Sequence, residues 1–206
     1  VSISSRRSTV VFDLGGVLID WDPRHLYRKL FADTAAMEDF LATVCTAEWN
    51  LQQDAGRSWA EATAALKAQH PGQAAMIDAF HARWPEMMAG SIDGTVAILR
   101  SLHAAGTPLY ALTNWSAETF PFALERFDFL GWFRGIVVSG HEKLVKPDPQ
   151  IYRVLLERHG LHAPDIVYID DNPHNAAAAT ALGMHGIHFT QPTALRRELA
   201  GLGFPA

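Results

Sequence analysis

The chain has one cysteine, Cys45, among 206 residues. An internal disulfide is therefore impossible, and a reducing cytoplasm is the expected setting. Cys45 ends the apolar stretch FLATVC, where a small buried side chain is expected in place of a reactive thiol. No apolar run approaches the ~20 residues that span a bilayer, so no membrane span is expected. The N-terminal SISSRRS carries two arginines, but the apolar stretch after it breaks at Asp13, so it does not read as a secretory signal. Positive charge is in deficit: the net charge is −5, which argues against non-specific nucleic-acid binding. Internal repeats and low-complexity segments are absent. The ten histidines show no metal-ligand spacing.

What remains suits a packed enzyme-sized core. Hydrophobic residues are 49% and charged ones 19%, which excludes a disordered chain. Thr9–Leu14 reads as a strand. The segment from Pro23 to about Gly90 shows no convincing strand; helical spacing appears at His25–Phe31, Ala35–Cys45, Ser58–His70 and Gln73–Trp84. After Gly90 helices and strands alternate. Helices are expected at Thr95–Ala105, Ala117–Arg126, Pro149–His159, Asn175–Leu182 and Thr193–Ala200, and strands at Pro108–Leu112, Gly135–Val138, Asp165–Ile169 and His185–Phe189. Such alternation implies right-handed crossovers and an α/β fold, a parallel sheet with helices on both faces. The expected division is a core domain of residues 1–20 and 91–206 with a helical cap of residues 21–90 inserted after the first strand.

Four fragments carry the polar chemistry: VVFDLGGVL, YALTNW, LVKPDPQIY and VYIDDNPHN. Three begin with apolar, β-branched-rich residues and break into polar ones, as buried parallel strands do at their C-terminal edge. Ligands of open α/β sheets bind at that edge, and a cap inserted there would exclude water. Asp13 stands before Leu14-Gly15-Gly16, either as a nucleophile that accepts a phosphoryl group or as an Asp that caps a turn. Thr113 and Asn114 end the second core strand, as phosphate ligands or as an N-cap. Lys146 is followed by Pro147-Asp148-Pro149, a stiff frame that fixes a point charge. Asp170 and Asp171 are adjacent carboxylates that repel each other by about 1 kcal/mol in water at ~4 Å, and more when partly buried. A Mg2+ ion would remove that conflict, since it takes oxygen ligands and pairs carboxylates with substrate phosphate.

Taken together and in this order, the fragments resemble the haloacid dehalogenase-like superfamily, over about Val10 to Phe189. The resemblance implies a Rossmann-like sheet of order 3-2-1-4-5. It implies Asp13 as nucleophile, Thr113 on the phosphate and Lys146 steadying the charges. Mg2+ would be held by Asp13, the main-chain carbonyl of Gly15, Asp170 and Asp171. One position departs from the pattern. Phosphatases of the superfamily usually have a second aspartate two residues after the nucleophile, as acid and base; here that position is Gly15. Such help is worth about 10²–10⁴ in rate. Water, Asp20, Asp22 and His25 are the candidates to replace it.

Three functions follow from the resemblance. The first is a Mg2+-dependent phosphatase of a small phosphorylated metabolite, similar to the sugar-1-phosphate phosphatase branch, which also lacks that aspartate. The second is a 2-haloacid dehalogenase, which needs neither metal nor acid because a halide leaves without a proton. The third is a non-catalytic binding protein on the same fold. Gly16, Asn114, Trp115, Arg57 and Trp21 are the candidate substrate contacts, although aromatics at helical spacing in a small cap are more often its core. Trp84 reads as structural. The sequence leaves monomer and homodimer open.

Overall fold

The computed structural model describes residues 7–205. Most of the SISSRRS stretch, and with it the start of the expected core domain, lies outside the described residues, as does 206.

Five parallel strands form the central sheet: β1 (Thr9–Phe12), β4 (Leu109–Thr113), β5 (Gly135–Val138), β6 (Ile166–Asp170) and β7 (His185–His188). Two further strands, β2 (Ile19–Trp21) and β3 (Met88–Ser91), pair with each other outside it. The sheet order is β5-β4-β1-β6-β7. Counted among themselves, the five core strands run 3-2-1-4-5, the order expected from the resemblance. The period-2 pattern sorts β1 onto two faces. Val10 and Phe12 join one apolar cluster, and Val11 joins Tyr110, Leu112, Tyr152 and Tyr168 in the other. Both faces are buried, which is why these strands read as continuous apolar runs.

The helices of the core are α6 (Asp93–Ala104), α7 (Phe120–Arg126), α8 (Ser139–Glu142), α9 (Pro149–His159), α10 (Pro173–Ala181) and α11 (Pro192–Gly201). Between β2 and β3 lie α1 (Arg24–Tyr27), α2 (Thr34–Thr43), α3 (Ala47–Asp54), α4 (Trp59–Gln69) and α5 (Ala74–Ala82). Asp33, Thr46 and Ser58 cap α2, α3 and α4 through their side-chain oxygens. The insert closes on its own aromatic centre, where Tyr27, Phe40, Trp49, Trp59 and Phe80 pack ring against ring. Cys45 is buried there, and burial pushes its thiol up to about 12, so it is an inert packing group.

Three sequence expectations need correction. Residues 88–91 are a strand, not helix or loop, so the insert is not all-helical. It is tied at its base by the β2–β3 antiparallel ribbon. Met-Ala-Gly-Ser has little intrinsic β preference, and its pairing with β2 is what makes it a strand. Residues 47–54 form α3, which the sparse apolar pattern of AEWNLQQD concealed. Residues 117–119 are a turn, and α7 begins at Phe120 with Pro121 in its first turn.

The insert is latched to the sheet edge. Ser139 Oγ donates to the main-chain oxygen of Asp54 at 2.6 Å and accepts from the Trp115 N–H at 2.9 Å. Trp59 Nε1 donates to Ser116 Oγ at 3.0 Å. Gly140 sits inside this latch. A Cβ there would meet the Trp115 carbonyl at 2.8 Å and collide with the Ala117 nitrogen. Gly140→Ala is therefore expected to destabilise the protein by about 1–3 kcal/mol through overpacking against backbone, measured as a lower midpoint in chemical denaturation. An unchanged midpoint would show that the latch yields freely.

Candidate active site

The register of the sheet sets the site. Phe12 pairs with Ala111 on one side and Ile169 on the other. The next residues of β1 and β6, Asp13 and Asp170, therefore emerge side by side, and the Asp13 N–H donates to the Ile169 carbonyl at 2.8 Å. Lys146 Nζ lies between them, 2.8 Å from Asp13 Oδ2 and 2.7 Å from Asp170 Oδ2. All three side chains are buried.

Lys146 is placed by Asn114. The Asn114 carboxamide accepts from the Lys146 N–H at 2.8 Å and donates to the Lys146 carbonyl at 3.1 Å. This reciprocal pair crosses from the end of β4 to the loop before α9. Asn114 thus fixes the lysine frame.

Asp170 is saturated. Its Oδ1 accepts from the Asn172 N–H at 2.9 Å and Asn175 Nδ2 at 3.0 Å. Its Oδ2 accepts from Lys146 and from Tyr168 Oη at 2.8 Å. A carboxylate has about four acceptor positions, and all are filled. Among the described residues Asp13 Oδ1 accepts from the Leu14 N–H alone, at 2.7 Å. Asp171 stands beside the Gly15-Gly16 turn. A Cβ at Gly16 would run into the Asp171 carboxylate, and Gly16 has φ +72°, so glycine is required there on both counts.

Burial raises the Asp13 carboxyl well above the usual carboxylate range; Lys146 opposes this, and Asp170 and Asp171 add to it. Burial works against the Lys146 ammonium, but Asp13 and Asp170 outweigh it and raise its pKa. Oxygens of Asp13, Asp170 and Asp171 lie within 4.8 Å of one another, the one such acidic cluster among the described residues. An all-oxygen donor set carrying surplus negative charge fits a hard divalent cation.

The other candidate residues divide. Thr113 is buried at the end of β4, at the sheet edge that carries Asp13. Trp21 and Trp115 line a small cavity of about 50 Å3 together with Asn50, Asp54, Trp84 and Asn114. Arg57 is elsewhere, in a separate groove beside α4, bonded to Gln52 Oε1 at 2.8 Å. Asp20 is half-exposed and paired with His25 at 3.0 Å. Asp22 accepts from the Arg24 N–H at 2.8 Å.

Asp54 and Trp84 are site-lining residues that the sequence reading passed over or read as structural. Asp54 had one local signal. It is the last residue of α3, where the helix dipole disfavours a carboxylate.

The family model described as a hydrolase, haloacid dehalogenase-like hydrolase, matches residues 8–183. A sesquiterpene phosphatase of Aspergillus oryzae is 28% identical over 192 residues, covering 93% of this chain and 94% of its own. A HAD family enzyme of Bacteroides thetaiotaomicron, solved in complex with magnesium and inorganic phosphate, superposes with a TM-score of 0.69 at 23% identity. It covers 89% of this chain and 94% of its own. The L-2-haloacid dehalogenase of Xanthobacter autotrophicus superposes with a TM-score of 0.61 at 17% identity, covering 97% of this chain and 84% of its own. The two structures share the fold. On the strength of the family match, the chain belongs to the haloacid dehalogenase-like hydrolases.

Proposed function

We propose that this hydrolase is a Mg2+-dependent phosphatase of a small phosphorylated metabolite, working through an aspartyl-phosphate on Asp13. The observation that carries the reading is the Lys146 bridge. Burial raises the Asp13 carboxyl, but the fixed ammonium at 2.8 Å favours its ionised form, and its Oδ1 carries the Leu14 N–H and is free of a second donor. Asp13 and Asp171 have open oxygens, and with the Gly15 carbonyl they would hold the ion. Asp170, already saturated, contributes its charge. When bound, Mg2+ neutralises the carboxylates and the substrate phosphate so that the two can approach. Thr113 at the end of β4 and the main chain around Gly16 would bind the phosphate oxygens.

In this reading the insert is the cap. The small cavity beside Asn114 shares Trp21 and Asn50 with a larger one of about 400 Å3, lined also by Leu41, Cys45 and Phe80. That space sizes the part of the substrate beyond the phosphate as a small organic group, a sugar among the classes that fit. Trp21 and Trp115 would contact it. The groove at Arg57 is separate, and Arg57 has no part in this reading.

Dehalogenation fits less well. A 2-haloacid brings its own carboxylate, and Asp170 and Asp171 beside Asp13 would repel it without a cation. A purely structural role fits less well again. A lysine buried between two carboxylates is a costly arrangement to keep without chemistry to perform.

Purified protein with Mg2+ is expected to release phosphate from p-nitrophenyl phosphate and from members of a sugar-phosphate panel. EDTA should abolish the activity, and Asp13→Asn should lower kcat by about 10³-fold or more. Metal-independent chloride release from 2-chloropropionate, with no phosphate release, would overturn the reading. Lys146→Met leaves two buried carboxylates unpaired and is expected to cost about 3–5 kcal/mol, read by denaturant titration. Added Mg2+ should recover part of that loss, and no recovery would show that the carboxylates do not share a cation site.

A further inference from the structure

Asp54 is the last residue of α3, in the insert. It is buried, and it lines the 50 Å3 cavity together with Asn114, whose carboxamide holds Lys146. Its Oδ2 accepts from Asn50 Nδ2 at 3.1 Å, and the Ser116 main chain favours its ionised form. Its main-chain oxygen is clamped by Ser139 Oγ at 2.6 Å. The residue is thus tied to the core through its main chain although it belongs to the insert. Four polar atoms on residues lining the same cavity are buried without a hydrogen-bond partner among the described residues: the indole N–H groups of Trp21, Trp84 and Trp115, and Asn50 Oδ1. Three buried indole donors on residues lining one cavity suit a ligand with oxygen acceptors.

We propose that Asp54 is the general acid and base of this phosphatase, filling from the cap the role left open at Gly15, and that the indole-lined cavity receives the leaving oxygen of the ester. The proposal rests on the phosphatase reading above. In the first step Asp13 bonds to phosphorus, the ester P–O bond breaks, and the Asp54 proton passes to the leaving oxygen. In the second step Asp54, now a carboxylate, takes a proton from water as the water oxygen bonds to phosphorus. The bond from phosphorus to Asp13 breaks, phosphate leaves, and Asp54 is protonated again. Burial pushes the Asp54 carboxyl up to about 7, against the Ser116 main chain and the charge of Lys146, so both protonation states are populated near neutral pH. Lys146 is the charged group that acts on it. The other acidic candidates are engaged: Asp20 is turned to His25, and Asp22 to Arg24.

The test compares p-nitrophenyl phosphate with phenyl phosphate, whose leaving phenol is about as basic as a tyrosine side chain, pKa ≈ 10. With Mg2+, the unaltered protein should show kcat/KM values for the two esters within about tenfold, because an acid assists the poorer leaving group. Asp54→Asn should lose about 10²-fold or more in kcat/KM on phenyl phosphate and much less in kcat/KM on the nitrophenyl ester. On the nitrophenyl ester it should give a stoichiometric burst of nitrophenol, since hydrolysis of the aspartyl-phosphate then lacks its base. Adding Gly15→Asp to Asp54→Asn should restore phenyl phosphate turnover at least tenfold, because a Cβ at Gly15 meets nothing within 4 Å. Equal losses on both esters, or no loss on either, would overturn the proposal. An unaltered protein that is a hundredfold or more slower on phenyl phosphate would also overturn it, whether or not Asp54→Asn folds. No phosphate release by the unaltered protein from these esters or from sugar phosphates would instead sink the phosphatase reading itself, and Asp54 with it.

Discussion

A single ammonium group between two buried carboxylates organises this molecule. Removing three charges from water costs several kcal/mol per ion even after relaxation, and the cost is met only where geometry and extra hydrogen bonds are near ideal. Here both conditions hold. Lys146 is within 2.8 Å of both Asp13 and Asp170, and Asp170 is filled by Tyr168, Asn172 and Asn175 besides. The sheet supplies the carboxylates from adjacent strands, and Asn114 supplies the lysine by holding its main chain from a third. Net charge at the centre still falls on the negative side, because Asp171 stands next to the cluster. That imbalance is the physical reason the site suits a cation and an anionic ligand together.

The insert depends on the same edge. Its α3 ends on Ser139 and its α4 begins on Ser116 and Glu118, all just beyond the ends of β4 and β5. The β2–β3 ribbon ties its base. Contact through these few points places a carboxylate, three indoles and an asparagine around one small cavity. Buried polar groups without partners weaken a fold unless something else engages them, and four such atoms, on Trp21, Asn50, Trp84 and Trp115, belong to residues lining one cavity beside the Lys146 frame.

Much of this was legible in the chain. The five core strands show as apolar runs because both faces of a parallel sheet are covered, and Gly106, Gly160 and Gly183 mark helix ends by their positive φ. Asp13, Thr113, Lys146 and the Asp170-Asp171 pair stand where apolar runs break or just beyond, so their common edge followed from the pattern. The ribbon and α3 did not show. A four-residue strand of Met, Ala, Gly and Ser has no periodicity to detect, and α3 buries only Trp49, Gln53 and Asp54. Arg57 looked available as a substrate contact because a charge in a loop carries no record of which groove it faces.

The sequence by itself determined the strand and helix rhythm, the family and the chemistry-bearing residues on the sheet, since these rest on local periodicity and on side chains fixed by strand ends. It also determined that position 15 is a glycine and carries no carboxylate. Only the tertiary structure decided that Asp170 is saturated while Asp13 and Asp171 keep open oxygens, because hydrogen-bond partners from β6, α10 and the Lys146 loop meet only on folding. It alone brought Asp54 to the cavity beside Asn114. That placement comes from packing between elements some sixty residues apart along the chain, as the Trp59–Ser116 and Trp59–Glu118 bonds show, and no local pattern encodes which end of a helix a distant serine will hold.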